Sequence, residues 1–425
     1  MRAEIKNRIE QIRQGKVPAG YKKTKQGISP AEWTGMSVKD CLCRVEKPVQ
    51  VEPETLYTQI GIRSHGNGIF CKEPVTGCAL KNKSVFWIEP DCFILNIVFA
   101  WEQAVGRTTK AEKGMIGSHR FPMYRPIEDR VDIDYLVYYF LTPRGTNILE
   151  EASPGGAGRN RTLGQERFLK STILLPPIAE QQKIAKILMT QDRVIALREK
   201  LLAEKLRQKQ YLMQVLLTGK TRLCGSTQIW QYQALKDISC EITKKAGNEK
   251  YEVLSISAGI GFVNQAKKFG KLIAGKQYKN YIVISHGDFS YNKGNSKKYP
   301  QGCVYPLENQ DEAAVPNVFI SFRLDKNICF WKFYKYVFEN GWLNKQLRRL
   351  ISSGARGDGL LNLSDEDFYS CIVPVPPLNE QVKIADILYS ADQEIDLLRQ
   401  ALEQERRKKK ALMQLLLSGI VRVKP

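Results

Sequence analysis

The sequence predicts a multidomain α+β protein: two globular α/β heads separated by two long helices that pair as an antiparallel coiled coil, the whole forming an internal pseudo-twofold repeat. Three observations carry this reading. First, PPIAEQQKIAKIL begins at Pro176 and PPLNEQVKIADIL at Pro376, and the likeness runs on through LMQVLLTGKTR and LMQLLLSGIVR. Of the 47 positions from Pro176 to Arg222, 22 are identical to their partners 200 residues later. Second, two copies are too few for a solenoid, and 425 residues are too many for one compact core. Third, each copy follows a globular stretch, so a duplicated two-part molecule accounts for the whole chain.

Residues 1–30 carry eight Lys/Arg against two acidic residues, and read as a basic helix followed by the turn-rich GYKKTKQGISP. The first head spans 31–175, opening at Trp33. It mixes β-like runs (LYTQIGI, CFILNIVFAW) with a helix-like DIDYLVYYFL and Gly/Pro punctuation at SPGGAG. The carboxylates Glu128, Asp129, Asp132 and Asp134 sit where a helix begins. Residues 176–223 form the first stem, 224–375 the second head, opening at Trp230, and 376–425 the second stem. The heads echo each other faintly. Each begins with Trp and Lys-Asp, and each ends in a Gly-rich loop, a Leu and an acid-flanked Phe (Phe168, Phe368). The heads have diverged far more than the stems.

Each stem starts with Pro-Pro, which suits the first positions of a helix. Glu180 and Glu380 follow in the first turn, where negative charge complements the helix dipole. No Gly or Pro interrupts the run until Gly219 and Gly419, placed as C-caps. Roughly 39 residues rising 1.5 Å each give a rod of about 58 Å. In the second stem Leu388, Ala391, Ile395, Leu398, Leu402, Leu412 and Leu416 fall on a narrow apolar seam. Leu188, Ile195, Leu202, Leu212 and Leu216 hold the same places in the first, with Gln191 and Arg198 as polar interruptions that weaken pairing or mark where a partner docks. Such a seam means coiled coil. Antiparallel rods would put the heads about a rod-length apart, roughly 17 base pairs of B-DNA. The basic run Arg406–Lys410 reads as a solvated face or a favourable interaction with the helix C-terminus, ahead of a phosphate or partner contact.

The net charge of +21 and pI near 9.4 favour a polyanionic partner, nucleic acid or an anionic membrane surface. No apolar run approaches the ~18 residues needed to span a bilayer, and the N-terminus is a charged helix, not a signal peptide. Nucleic acid is therefore the favoured partner, with no membrane and the cytoplasm the expected compartment; the spacer and the resemblance given below make it double-stranded DNA. Ten cysteines form no CxxC and three histidines sit in no ligand-like spacing. They read as buried or free thiols in a reducing cytosol, and no metal site is expected.

The charge is uneven. Residues 31–175 hold 18 basic and 17 acidic residues (net +1), and 226–375 hold 20 and 14 (net +6). Any DNA face on the first head must therefore be local. Candidates there are Arg63, His65 and Asn67 in RSHGNG, then Lys72, Arg107, Lys110, Arg120, and the loop with Arg159, Asn160 and Arg161. In the second head they are Asn264, Gln265, Lys267 and Lys268, then Asn292, Lys293, Asn295, Lys297 and Lys298, with Arg323 and Arg356. Arg suits guanine, Asn and Gln suit adenine, and Lys mostly holds phosphate. Catalytic patterns are missing. TGKT (Thr218–Thr221) closes a helix instead of opening one and has Gln214 where a phosphate loop needs Gly. No GxGxxG follows a strand, no Asn-Pro-Pro-aromatic stretch occurs, and no triad can be assembled. No catalytic residue is assigned.

Head, Pro-Pro-x-x-Glu-Gln helix, head and a second such helix, with LMQxLL[TS]G closing each helix, resembles the specificity subunit of type I restriction–modification systems. The resemblance spans the chain, and QIGIRSHGNGIF and NIVFAWEQAVG resemble a known target-recognition-domain subtype. It implies two target recognition domains reading a bipartite, gapped, asymmetric DNA sequence. It further implies two modification subunits bound along the helices, adenine methylation with S-adenosylmethionine in those subunits, and restriction subunits that hydrolyse ATP with Mg. None of these cofactors would reside in this chain. Other classes predict other behaviour. A lone endonuclease would cleave DNA with magnesium, and a protein-binding scaffold would show little salt-dependent DNA affinity. The specificity chain of a two-subunit cut-and-methylate system reads the same in sequence.

Overall fold

The structure, a computed structural model, describes residues 3–24, 27–81, 83–155, 161–223, 228–269, 275–294, 298–351 and 360–423. It divides into two units, Met1–Glu199 with Ala401–Pro425, and Lys200–Gln400. The stem helices are Ile178–Leu216, of 39 residues, and Leu378–Leu417, of 40. Their ends fall where Pro-Pro and Gly place them. Each stem helix contributes to both units.

In the first unit a four-stranded antiparallel sheet runs in the order Val105–Arg107, Phe93–Leu95, Met123–Pro126, Leu42–Val45. The helices Ile133–Phe140 and Pro143–Glu151 cover it. Asp132 begins the first of these by accepting the Tyr135 N–H at 2.8 Å, so the acidic cluster is a helix entry as expected. Phe93, Tyr124, Phe140 and Phe168 form a continuous ring cluster with centroids 5.4 to 6.3 Å apart. The expected β run CFILNIVFAW stops at Leu95. Asn96 turns the chain by accepting the Val98 N–H at 3.1 Å, and Ala100–Glu102 is a 3-10 turn. The apolar residues of that run cover a turn, so they lack a strand partner.

In the second unit the corresponding sheet runs Cys303–Pro306, Phe289–Asn292, Ile320–Leu324, Ser239–Glu241, which is the same spatial order. The helix Trp331–Glu339 packs on it through Phe338, whose ring meets Phe289 and Phe322, and Phe322 in turn meets Phe368. Both heads close in the same way. Thr34–Ser37 pairs with Thr172–Leu175, and Gln231–Ala234 with Ile372–Val375, delivering each chain to its Pro-Pro. The duplication therefore extends into heads whose sequences have drifted apart.

Within each unit the stem segments run antiparallel. In the first, Glu180, Asp192 and Glu199 face Arg422, Lys409 and Arg406. In the second, Lys205, Lys209 and Arg222 face Glu394, Asp392 and Glu380. Leu188, Leu216, Leu388, Ile395, Leu402 and Leu416 are buried, and Ile195, Leu202, Leu212, Leu398 and Leu412 half-buried. The polar interruptions do not weaken the seam. Gln191 donates to the Glu405 carboxylate at 2.8 Å, and Arg198 reaches the same group at 3.4 Å. The run Arg406–Lys410 is only partly a solvated face, because Arg406 and Lys409 cross to Glu199 and Asp192.

The repeated phrase builds one joint twice. Gln381, fully buried, accepts the Phe330 N–H at 2.8 Å and donates to the carbonyls of Ile328 and Pro376, each at 2.8 Å. Gln181 accepts the Asp132 N–H at 2.9 Å and donates to the carbonyls of Arg130 at 3.1 Å and Pro176 at 2.9 Å. Beside it, Glu380 takes both arms of Arg222 at 2.8 and 2.9 Å and the Trp230 indole N–H at 3.0 Å. Glu180 takes Arg422 at 2.8 and 2.9 Å. One helical face further on, Tyr138 donates to Asp192 at 2.6 Å and Tyr336 to Asp392 at 2.8 Å, with Lys409 and Lys209 closing each pair. Burial and these carboxylates push both phenols up, so they remain donors.

Both helices stop at glycine. Gly219 and Gly419 take φ of +67° and +72°, the left-handed conformation that ends a helix. A Cβ on Gly419 would come within 2.5 Å of Pro30, because Arg8, Tyr21 and Pro30 lie against this end of the second stem. There Arg8 donates to the Ile420 carbonyl at 2.6 Å and Tyr21 to that of Gly419 at 2.7 Å, satisfying groups a helix terminus leaves open.

Two outcomes follow from the joint. Gln381→Leu leaves one buried N–H and two carbonyls without partners and should destabilise the chain by about 2–4 kcal/mol. Urea unfolding would measure this, and a loss under about 0.5 kcal/mol would remove Gln381 from the joint. Burial alone would raise the Glu380 carboxyl, but the hydrogen bonds from Arg222 and Trp230 hold it below its ordinary value. With a folded value below the unfolded one, about 4.3, this stabilisation is complete above roughly pH 5 and is lost as pH falls through the folded value. The urea-midpoint difference between wild type and Glu380→Gln should therefore shrink below about pH 4. A difference constant from pH 7 to 3 would contradict the assignment.

Candidate nucleic-acid interface

In the first head the turn between strands Ile60–Ile62 and Ile69–Cys71 presents Arg63, His65 and Asn67, all exposed. It closes by the Arg63 N–H to the Gly68 carbonyl at 3.0 Å and the Asn67 side chain to the Ser64 carbonyl at 2.9 Å. Gly66 has φ of +67°, and a Cβ there would strike Leu141 at 2.6 Å, so only glycine lets the turn settle onto the head. The turn is fastened to the 3-10 segment Ala100–Glu102. The His65 N–H donates to the Glu102 carbonyl at 2.7 Å, and the Ser64 hydroxyl to its carboxylate at 2.8 Å. Arg161 lies over the Trp101 ring at 5.5 Å. Ile97 ties in the rest, donating to the Arg120 carbonyl at 3.0 Å and accepting from Leu163 at 2.8 Å. One loop cluster thus gathers Arg63, His65, Asn67, Arg120 and Arg161.

Other candidates fall elsewhere. Lys72 is exposed at the far end of the same hairpin, and Lys110 is exposed on the turn Lys110–Glu112. Arg107 is bound to Asp91 at 2.7 Å and also to Asp134. It buttresses the head against the helix Ile133–Phe140 and is not a free reader. Arg159 and Asn160 lie outside the described residues.

In the second head Asn264 and Lys267 line a cleft of about 600 Å³ with Phe262, Tyr305, Gln310 and Glu252. Glu252 organises it, accepting Asn264 at 2.6 Å and Gln310 besides. Burial pushes the Tyr305 phenol up, leaving a neutral hydroxyl that accepts the Gly259 N–H at 2.8 Å. Gln265, expected on the surface, is only 3% exposed, because it opens the helix Gln265–Phe269 with its side chain turned inward. Arg323 is held in a two-armed pair with buried Asp288, both contacts at 2.7 Å, and Lys293 is tied to Asp365 at 2.7 Å. These two brace the head. Asn292 is half-buried, accepting the Gly294 N–H at 2.8 Å, and Lys298 is exposed with its ammonium over Tyr299. Asn295, Lys297 and Arg356 lie outside the described residues, as does the side chain of Lys268.

Sequence reasoning missed Trp101, Glu102, Glu252 and Gln310. Trp101 and Glu102 lie in the stretch NIVFAWEQAVG already noted for its resemblance, but nothing in the local pattern gives the role of any of the four, since each acts on residues well along the chain. The assembled groups are hydrogen-bond donors and acceptors, cations and ring faces, a set suited to reading base edges and holding phosphate. Among the described residues no group of three or more His, Cys, Asp and Glu is placed to hold a metal ion. No helix there is long and apolar enough to cross a membrane.

The chain as a whole resembles known proteins. The family model for the type I restriction modification DNA specificity domain matches residues 83–205 and again 229–405. The type I restriction enzyme MjaVIII specificity subunit of Methanocaldococcus jannaschii is 24% identical over 430 residues, covering 93% of this chain and 94% of that protein. The putative MjaX specificity subunit of the same organism is 26% identical over 326 residues, covering 71% of each. The crystal structure of the HsdS subunit from Thermoanaerobacter tengcongensis superposes with a TM-score of 0.52 at 16% identity, over 96% of this chain and 98% of that one, a likeness of fold. With two matches that together span well over half its length, the chain belongs to the type I restriction–modification DNA specificity family, whose members recognise DNA targets.

Proposed function

We propose that the two heads read the two halves of one gapped DNA target and that the paired stem helices fix the number of unread base pairs between them. The observation that supports this most directly is the joint, built twice from the same residues on the same pair of helices. Each head thereby meets its stem in the same geometry while its outer loops differ. In this reading the chain is a recognition subunit without chemistry of its own, working in the cytoplasm. Methylation of adenine and DNA cleavage belong to modification and restriction subunits, with two modification subunits docked along the stems. The first head would read through the loop cluster around Trp101, and the second through the cleft around Glu252 together with its lysine-rich loops.

Selection from a randomised duplex pool, with the chain co-expressed with its methyltransferase, should return a two-part consensus with a fixed gap. Adding one heptad to both stems lengthens each rod by about 10 Å, so the selected gap should grow by about three base pairs with both half-sites unchanged. A single continuous site would discard the two-headed reading, and an unchanged gap would discard the spacer. Exchanging residues 226–375 for the head of another family member should alter one half-site only. Changes in both halves would show that the heads do not read independently.

A further inference from the structure

The geometry points to Arg63 and Arg161 as guanine-reading residues of the first head, each resting over an aromatic ring. This rests on the DNA-reading function proposed above and specifies its chemistry. Several arginines of the first head are already held by neighbouring side chains. Arg107 is occupied by Asp91 and Asp134, and Arg44 by Glu46 at 2.9 Å and by Gln165. Arg63 and Arg161, by contrast, have no carboxylate within ion-pair distance among the described residues. Each instead lies on a ring face, Arg63 over Phe70 at 4.6 Å and Arg161 over Trp101 at 5.5 Å.

Stacking is the feature that separates a reader from a phosphate clamp. A guanidinium held flat against a ring keeps its charge and plane but leaves its N–H edge open. That edge matches the O6 and N7 acceptors of guanine in the major groove. The rings themselves are fixed. The Trp101 indole N–H donates to the Val98 carbonyl at 3.1 Å, and Phe70 lies in the strand Ile69–Cys71 beneath the turn that carries Arg63. Both stacked pairs belong to the cluster joined through Glu102, so they meet one DNA segment. The backbone supports the same placement. His65 and Gln103 take φ of +59° and +60°, left-handed values that non-glycine residues rarely adopt and that collect where a loop is shaped for a ligand. The two strained positions sit on either side of the bonds that join the turn to Trp101.

A near-neutral head makes this chemistry necessary. With 18 basic and 17 acidic residues over 31–175, the first head offers no broad positive field. A few well-oriented guanidiniums then have to supply its discrimination.

The test uses R63K and R161K in the full chain co-expressed with its methyltransferase, with target preference read by selection and sequencing. The half-site belonging to the first head is the one that stays constant when residues 226–375 are exchanged. The wild type should show G·C pairs in that half-site. Each Lys variant keeps the charge but loses the planar fork. It should lower discrimination at one G·C position by about tenfold or more, leaving the other positions and the other half-site unchanged. That unchanged half also serves as the control for folding. Retained discrimination at every position, or a uniform loss across all of them, would overturn the assignment, as would a first-head half-site without G·C pairs. If the wild type selected no sequence at all, the DNA-reading function would fail and this assignment with it. If a consensus appeared but the variants did not alter it, only the assignment would fail.

Discussion

The crossed pairing of Glu180 with Arg422 and of Glu380 with Arg222 is the constraint on which the rest of the structure depends. Each carboxylate sits in the first turn of one stem helix, where the helix dipole favours it. Each arginine lies just past the end of the other, reached through a left-handed glycine. The pair can form only if the two helices run antiparallel in one register and stop at the right residue. The Glu side chains are almost fully buried, while the Arg side chains remain 28–29% exposed. Losing either arginine would strand a buried charge. A slip by one turn would break the joint in both units. The apolar seam makes the helices associate, and this polar joint selects among the registers that an apolar seam tolerates.

The same joint explains why the heads can diverge. Gln181 and Gln381 reach into their heads, yet every atom they bind there is main chain: the N–H of Asp132 or Phe330, and the carbonyl of Arg130 or Ile328. A contact made to backbone places no demand on side-chain identity. The heads need only present a helix entry at that point, and Asp132 and Phe330 supply it with quite different side chains. The stem, which makes the contact through side chains, has to keep Glu, Gln, Asp, Lys, Gly and Arg. Conservation between the two halves of the chain thus falls on the side that recognises, and drift on the side that is recognised.

That asymmetry also decided what could be read from the sequence. The stems were legible because their constraints are local and periodic: Pro-Pro at the start, Gly at the end, and a seam that places Leu188 and Leu388 alike. The sheets of the heads were not, because their strands are three to five residues long and too short to show alternation. Arg107 and Arg323 resembled DNA readers in sequence. The carboxylates that occupy them lie 27 and 35 residues away, a distance over which local pattern carries no information. Gln265 resembled an adenine reader beside Asn264, but the first position of a short helix turned its side chain into the head. Trp101 sat in what looked like the end of a buried strand, and only the turn at Asn96 brought it out beneath Arg161.

The two heads also differ in the charge they carry. The first carries almost no net charge, and its organised cations rest on rings beside a turn with strained backbone. The second carries 20 basic against 14 acidic residues over 226–375, with Arg323 already bound, Arg348 and Arg349 exposed on the helix Asn344–Leu350, and its other described exposed cations lysines. A lysine-rich surface attracts phosphate through its field, with little dependence on orientation, while a stacked arginine contributes only when a base edge is correctly placed. If the heads read DNA as proposed, the second head would supply more of the attraction to phosphate and the first more of the discrimination. Joining both heads in one chain would let these two modes act together, because holding the second head on DNA raises the local concentration of sequence presented to the first. A head with little attraction of its own can then be selective, since affinity need not come from the same residues that provide specificity.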